Sequence, residues 1–179
     1  VRQTYIFRFG TTEDVPVGFT LGFVSGYQFK NQERWYWGLR HSWGNFFSLG
    51  YFGSSIEYGT FINANYHTQG VLSVSADYFS NLFSIGRWNF RQFVRPELTI
   101  GTRRSGYDRL TLNDGYGLNG FSSDVLSGTS RMLIVLQTQS YAPWNLAGFR
   151  FGPYLNLSFG MLGDEISGFG HSRMYPQIG

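Results

Sequence analysis

Residues 17–29 read VGFTLGFVSGYQF, and the alternation within this stretch decides the fold. The odd positions are mostly bulky and apolar, whereas the even positions hold glycine, threonine, valine and glutamine. Successive side chains of a strand point to opposite faces, so a period of two over 13 residues predicts an extended strand with one apolar face. The strand is longer than the about five or six residues typical of soluble proteins.

The same alternation recurs along most of the chain, and no stretch shows helical periodicity. It predicts strands over residues 34–44, 51–59, 72–82, 87–101 and 148–160, shorter strands over 1–9 and 132–141, and the start of another over 174–179. Polar links are predicted at 10–16, 62–69 and 102–130, and the last is long enough to be a functional loop. Residues 1–179 are therefore predicted to form a single all-β region.

Composition narrows the class of protein. Aromatic residues make up 20% of the chain and charged residues only 14%, against about 25% in soluble domains. No apolar run approaches the roughly 20 residues of a membrane helix. The net charge of +3 is small and scattered, so nucleic acid is not a predicted partner. The absence of cysteine excludes disulfides and thiolate chemistry and suits an oxidising envelope compartment.

Two architectures explain repeated amphipathic strands: a soluble sandwich or lipocalin-type barrel with its apolar face inward, or a membrane barrel with that face outward. Residues 17–29 carry no charge on either face, whereas a soluble sheet places charges on its solvated face. Aromatic residues cluster near strand ends and turns, as in the girdles of membrane barrels; they are Trp35, Tyr36, Trp37, Trp43, Trp88 and Trp144. The sequence thus predicts a transmembrane antiparallel β-barrel.

Residues 112–160 read LNDGYGLNGFSSDVLSGTSRMLIVLQTQSYAPWNLAGFRFGPYLNLSFG. This stretch resembles the C-terminal part of the BamA and surface-antigen superfamily of outer-membrane barrels. Members show a loop with a V-R-G-F or V-R-G-Y element, a small-residue segment with an arginine before a strand, and a G-x-R-x-G-P strand. The corresponding residues are Leu118, Asn119, Gly120 and Phe121, then 127–131, then 148–153.

The resemblance implies that the loop 102–130 folds back into the barrel lumen. In the family the loop arginine contacts acidic or aromatic groups of the inner wall. Here Asn119 holds that position, and Gln137 stands where many relatives carry glutamate, so hydrogen bonds would replace a charged contact. The resemblance and the strand count, with the chain ending inside an apparent strand, together predict a fragment of a larger, roughly 16-stranded barrel.

Alternation places a set of polar side chains on the inward face of the predicted barrel. They are Arg40, Glu57, Asp77, Arg91, Arg95, Glu97, Gln137 and Arg150. One interpretation is a surface that sets selectivity or docks a plug. The other is that these groups neutralise one another, because a lumen must satisfy its charges in any case.

Chemical motifs are weak. Gly115, Gly117 and Gly120 satisfy G-x-G-x-x-G, but the following serines and Gly128 discourage the helix that a dinucleotide site needs. A barrel lipase built on His41 beside Ser42 is an alternative, although no G-x-S-x-G element occurs. The acidic residues of the loop do not fit calcium-loop spacing. No catalytic residue, cofactor or metal site is predicted.

The function that the resemblance implies is insertion or translocation of proteins at the outer membrane of a diderm bacterium. A passive pore, or a structural barrel that scaffolds a larger envelope complex, is the alternative. Expected partners are membrane lipids, client outer-membrane or secreted proteins, and periplasmic or outer-membrane complex subunits. Within the loop, substitution of Gly120 or Phe121 is expected to matter more than substitution of Gly115.

Overall fold

The computed structural model describes residues 1–4, 6, 12–29, 33–63, 66–104, 108–115 and 117–179. The strands are β1 (Arg2–Thr4), β2 (Thr12–Asp14), β3 (Gly18–Gln28), β4 (Arg34–Phe47), β5 (Gly50–Asn63), β6 (Tyr66–Ser80), β7 (Phe83–Ile85), β8 (Trp88–Thr102), β9 (Ser130–Tyr141), β10 (Asn145–Leu146), β11 (Phe149–Arg150), β12 (Tyr154–Gly163) and β13 (Tyr175–Ile178). The described part of the chain has no helix long and apolar enough to cross a membrane.

One large antiparallel sheet organises the chain, which confirms the predicted all-β class. Eight strands follow one another in the order β13-β12-β9-β8-β6-β5-β4-β3, and the short β7 pairs with β8. The hairpins β1–β2 and β10–β11 are separate two-stranded sheets. Among the described residues no pairing joins β3 to β13, so these two strands are the edges of an open sheet.

Four of the observed strands, β4, β5, β6 and β9, are longer than predicted. The link predicted at 62–69 is wrong, because β5 and β6 stay paired beyond a register shift at Phe61/Ile62. The link predicted at 10–16 contains β2. Of the strand predicted over 1–9, β1 is observed, and residues 5 and 7–9 lie outside the described residues.

The strand predicted over 148–160 is wrong at its start. Ala147 and Gly148 have positive φ values of 51° and 87°, and they turn the chain into the β10–β11 hairpin. The long strand β12 therefore begins only at Tyr154.

Strand direction gives the sheet two different ends. The connections 48–49, 81–87 and 142–153 emerge at one end, termed the turn end. The loop 103–129 and the connection 164–174 emerge at the opposite end, termed the loop end. The longest connection of the sheet, the loop 103–129, lies at the loop end.

The register gives the sheet two faces of opposite chemistry. Directly paired residues share a face, and one such row joins Phe23, Leu39 and Tyr58. We call this the apolar face, and it carries no Asp, Glu, Lys or Arg from the eight strands. We call the other the polar face, and all the charged residues of these strands lie on it: Arg34, Arg40, Glu57, Asp77, Arg91, Arg95, Glu97 and Arg131.

The polar face is the packed one. At the turn end, Tyr51, Phe79 and Phe93 form a buried aromatic floor for Ile6 and Val15 from the N-terminal residues. At the loop end, a second buried cluster joins the loop 103–129 to β9 and β12. Both core clusters of the described chain thus lie over the polar side of the sheet.

The apolar face is bare. Phe19 and Leu21 of β3 are 77% and 67% exposed, and apolar side chains of the neighbouring strands are exposed in the same way. A soluble sheet buries its apolar face and solvates its polar one. This sheet has the reverse arrangement.

Gly44 offers a test of packing on the polar face. A Cβ atom there would overlap the Tyr51 hydroxyl, which donates a hydrogen bond of 2.9 Å to the Pro16 carbonyl. We expect Gly44→Ala to lower the free energy of unfolding by about 1–3 kcal/mol, the usual cost of overpacking. Equilibrium unfolding in urea measures this. The control is Gly26→Ala, where a Cβ meets no atom within 4 Å; equal effects of the two substitutions would refute the packing argument.

Candidate functional site

The loop 103–129 is anchored on the polar face by two leucines. Leu112 and Leu118 are 0% and 1% exposed and pack against Leu133 of β9 and Leu162 of β12. Four partly buried side chains surround this cluster: Leu110, Phe121, Leu126 and Tyr175. Gly160 of β12 leaves room for it, because a Cβ there would lie 2.8 Å from the Leu112 side chain.

The motif Leu118–Phe121 forms a tight turn at this anchor. The Phe121 amide donates to the Leu118 carbonyl at 3.1 Å, and Gly120 adopts a φ of 71°. The Phe121 ring lies 5.8 Å from the Tyr175 ring, centroid to centroid. Asn119 and Gly120 are exposed. Leu118 and Phe121, the apolar ends of the motif, therefore pack in the buried cluster, whereas Asn119 and Gly120 at its centre are exposed.

Backbone conformation or close packing explains why glycine occupies positions 115, 117 and 120. Gly115 and Gly120 both have positive φ and open space around them, whereas a Cβ on Gly117 would lie 2.6 Å from the Leu112 backbone. No helix follows the loop in the described chain, so the arrangement lacks the helix N-terminus of a dinucleotide site. Gly117 has the tightest surroundings of the three, although the sequence pattern treats all three alike.

Hydrogen bonds within the loop fix its shape. The Asn113 side chain donates to the Ser123 carbonyl at 3.2 Å and accepts from the Ser123 amide at 2.9 Å. The Asp114 amide donates to the Phe121 carbonyl at 2.8 Å. Leu110 and Gly128 exchange two backbone hydrogen bonds and close the loop at its base. The loop is thus a folded unit as well as an anchored one.

An ion pair between the neighbouring strands β8 and β9 lies beside the loop. Arg131, at the start of β9, donates from Nη2 to Glu97 Oε1 at 2.8 Å, and its side chain is only 13% exposed. Its Nη1 also reaches the Thr111 carbonyl of the loop at 3.4 Å. Arg131 therefore connects a carboxylate of β8 to a backbone carbonyl of the loop.

We expect Glu97→Gln to weaken the hydrogen bond between Arg131 and the loop, because Glu97 holds the Arg131 side chain in position to reach Thr111. The substitution leaves the Arg131 guanidinium without its carboxylate, and because Glu97 is partly exposed the loss should be about 1–2 kcal/mol, below the range for fully buried pairs. The measurement is the rate of proteolysis within the loop in the folded protein. Glu57→Gln removes an exposed carboxylate and serves as the control. The prediction fails if the two variants are cleaved at the same rate.

Gln137 and Arg95 form the next polar pair on the wall. Arg95 donates from Nη2 to Gln137 Oε1 at 2.7 Å. The resemblance implied a hydrogen bond between Asn119 and the wall instead, but Asn119 is exposed. Leu118, its neighbour, reaches the sheet through apolar contact.

Three predicted lumen residues lie on the uncovered part of the polar face. Arg40, Glu57 and Asp77 are all exposed, and Arg40 and Glu57 are direct partners in the β4–β5 ladder. Arg40 and Asp77 line one cavity of about 270 Å³. This region is therefore hydrated and carries both signs of charge.

The last two predicted residues have different environments. Arg91 is buried, donates to the Thr4 carbonyl at 3.4 Å and lies 5.0 Å from the centre of the Phe79 ring. Arg150, predicted on the lumen wall, lies in the β10–β11 hairpin and not in the main sheet. The reason is the turn at Ala147–Gly148, which delays the long strand.

The alternative of a His41–Ser42 catalytic pair gains no support from the geometry. His41 shares the apolar face with Leu21 and Ile56, its partners in the two neighbouring strands. Ser42 points to the opposite face, where its Oγ lies 3.1 Å from Ser55 Oγ. Within the described residues there is also no group of three or more His, Asp or Glu side chains that could hold a metal ion.

Sequence reasoning missed the aromatic floor at the turn end. Tyr51, Phe79 and Phe93 are each an even number of residues away from a charged residue of the same strand. Strand alternation therefore places them on the polar face, and this is the signal by which the sequence could have indicated them. In the sequence, Arg131 stands out only as the arginine of the small-residue segment 127–131. Its partner Glu97 was identified, but nothing in the sequence paired the two.

Comparison with known proteins adds no relative. The chain matches no protein-family model, no curated protein and no solved structure.

Proposed function

We propose that this chain is part of an outer-membrane β-barrel of the BamA and surface-antigen type, which inserts or translocates proteins at the outer membrane of a diderm bacterium. One observation carries the membrane assignment: the charge-free face is bare, while the polar face holds the packed clusters and the loop. Lipid is the environment in which such an arrangement is stable, because apolar side chains are then solvated by acyl chains.

Strand length and ring positions support a membrane-spanning sheet. A tilted strand needs about 9–11 residues to cross the hydrocarbon core. Strands β3 to β6 and β8, β9 and β12 have 10 to 15 residues each. On the apolar face, Tyr27 packs on Trp35 near the loop end, and Trp43 packs on Phe47 near the turn end. Aliphatic residues such as Leu39 lie between these rings, as in a band flanked by two girdles.

The segments packed on the polar face support a barrel of more than eight strands. The interior of an eight-stranded barrel is about filled by its own side chains. Here the polar face also carries the loop 103–129 at one end and N-terminal residues at the other. Both fit only in a wider lumen, in keeping with a barrel of roughly 16 strands. In such a barrel β3 and β13 pair with further strands, since lipid cannot satisfy open edges.

The assembly or translocation role rests on the resemblance of residues 112–160, together with the loop packed on the polar face. Its partners would be membrane lipids, client outer-membrane or secreted proteins, and other subunits of an envelope complex. The chain would act through the shape of the barrel and of its loop. No cofactor enters this role.

The test is reconstitution of the natural full-length protein in phospholipid vesicles. We expect the vesicles to speed the folding of an added outer-membrane barrel client, relative to empty vesicles and to vesicles with an unrelated barrel. The same rate in all three would refute the assembly role.

A passive pore is the second candidate, and the exposed Arg40, Glu57 and Asp77 favour it because they line an uncovered, hydrated region of the polar face. Single-channel recording in planar bilayers separates the two roles. Large, steady and ion-selective openings, without acceleration of client folding, would establish the pore.

A further inference from the structure

A small polar cavity lies at the turn end of the sheet, beside the β10–β11 hairpin. It has a volume of about 280 Å³, and the residues that line it include Asn89, Trp144, Asn145 and Arg150. Asn145 and Arg150 are direct partners in the hairpin. None of the described residues that line the cavity is Asp or Glu.

The cavity is rich in hydrogen-bond donors. Arg150 brings a guanidinium with N–H groups in a fork, Trp144 an indole N–H, and Asn145 a side-chain amide. The Asn89 Oδ1 atom accepts a bond of 2.7 Å from the Ser84 hydroxyl, so its amide nitrogen is the group that can donate to a ligand. Donors without a carboxylate among them select an anion, and an arginine fork matches two phosphate oxygens.

The cavity adjoins the apolar face. The Trp144 ring meets the Trp88 ring edge-on, with centroids 5.0 Å apart. Trp88 stacks on Phe90 at 6.4 Å, and Phe90 stacks on Phe83 at 5.8 Å. Trp88 and Phe90 lie on the apolar face, because each is an even number of residues from Leu98 in β8. Trp144 therefore links the cavity to the face that the proposed function assigns to lipid.

The position and size of the cavity suit a lipid headgroup. The connections 81–87 and 142–153 contain Arg87 and Arg150 and no Asp or Glu. Tryptophan rings concentrate at the membrane interface, and arginine side chains extend from there to the headgroups. The volume is below the roughly 300–1,000 Å³ of sites for drug-sized ligands, so one headgroup fits and a whole lipid does not. The acyl chains would lie along the apolar face.

We propose that this cavity binds the headgroup of an anionic glycerophospholipid, with Arg150 on the phosphate and the amides of Asn89 and Asn145 on the glycerol hydroxyls. The choice of a membrane lipid over free phosphate rests on the proposed function, because it uses the lipid-facing side of the sheet. A headgroup that carries an ammonium fits poorly, since the described lining offers it no carboxylate.

The experiment is native mass spectrometry of the full chain, released from detergent micelles that contain a small fraction of phosphatidylglycerol. The wild-type chain should retain one such lipid, and should retain phosphatidylcholine less. We expect Arg150→Gln to lower the ratio of lipid-bound to free protein about tenfold, which corresponds to losing about one hydrogen bond to a charged group. Asn145→Asp should lower it as well, because a carboxylate of the same shape then faces the phosphate.

The matched control is Arg87→Gln. All three substitutions lower the net charge by one, but Arg87 is exposed at the same end of the sheet without lining the cavity. It should leave the ratio within about twofold of the wild type, as surface substitutions usually do. Asn145→Asp preserves the shape of the side chain, so the test does not depend on folding of the Arg150 variant.

Unchanged lipid retention in both cavity variants would overturn the proposal. An equal loss in Arg87→Gln would also overturn it, because it would indicate general attraction of anions. Equal retention of the two lipids would contradict selection of an anionic headgroup. Soluble glycerol 3-phosphate that binds in lipid-free micelles as tightly as phosphatidylglycerol would contradict a lipid as the occupant.

The lipid site and the proposed function fail separately. Arg150 and Asn145 lie outside the eight-stranded sheet, so their variants should float with phospholipid vesicles as the wild type does. Flotation without selective lipid retention would remove the lipid site and leave the membrane assignment. Failure of client folding in vesicles would remove the assembly role and leave lipid retention unchanged.

Discussion

A Leu118→Asp variant is expected to release the loop 103–129 from the sheet. Leu118 is 1% exposed and packs with Leu112, Leu133 and Leu162. Losing a buried leucine costs about 2–5 kcal/mol, and the new carboxylate has no partner inside the cluster. The folded protein should therefore be cleaved rapidly within the loop by a protease that leaves the wild type intact.

The matched control is Asn119→Asp. It introduces the same charge one residue away, but Asn119 is exposed, so its effect should lie within about 0.5 kcal/mol of zero. Cleavage at equal rates in both variants would mean that the loop is not anchored through Leu118.

A Phe23→Arg variant is expected to fail to assemble in lipid. Phe23 lies in the middle of β3 on the apolar face, opposite Leu39 of β4. An arginine on the lipid face of a barrel near the membrane midplane costs about 2–4 kcal/mol. At about 1.4 kcal/mol per tenfold, the ratio of inserted to free protein should fall by a factor of roughly 30–1000. Flotation with phospholipid vesicles measures this ratio.

Val24→Arg is the control for this substitution. Phe23 and Val24 are 61% and 60% exposed, so solvent exposure alone predicts the same effect for both. Val24 lies on the polar face, opposite Gly38, and an arginine that stays in water there should cost no more than about 0.5 kcal/mol. Similar loss of insertion in the two variants would argue against a lipid-facing side of β3.

The strands were predictable because their signal is local. The alternation of residues 17–29 predicted both ends of β3 to within one residue. The same alternation predicted Arg40, Glu57 and Arg95 on one face, and the register puts all three on the face opposite Leu39. A period of two needs no knowledge of neighbouring strands. The pattern predicts strand ends less well, because alternation can continue through a turn. At Ala147–Gly148 the alternation continues, but the chain turns.

The candidate site was less predictable because its contacts are distant in sequence. Leu118 meets Leu162 only after the loop has folded across the sheet, and Glu97 meets Arg131 only through the pairing of β8 with β9. The motif drew attention to Asn119, yet the leucine beside it makes the anchor. The spacing of residues along the sequence does not show which distant side chains come into contact.

The side of the sheet that faces lipid is measured most directly by site-specific fluorescence, and the cysteine-free chain makes single labelling clean. Ile56 and Glu57 are neighbours in β5, on the apolar and polar faces respectively. We expect a bimane label on Ile56→Cys to be quenched by brominated phospholipids in vesicles, and a label on Glu57→Cys to be quenched by aqueous iodide instead. Quenching of both labels by iodide alone, or stronger lipid quenching at position 57, would contradict the account.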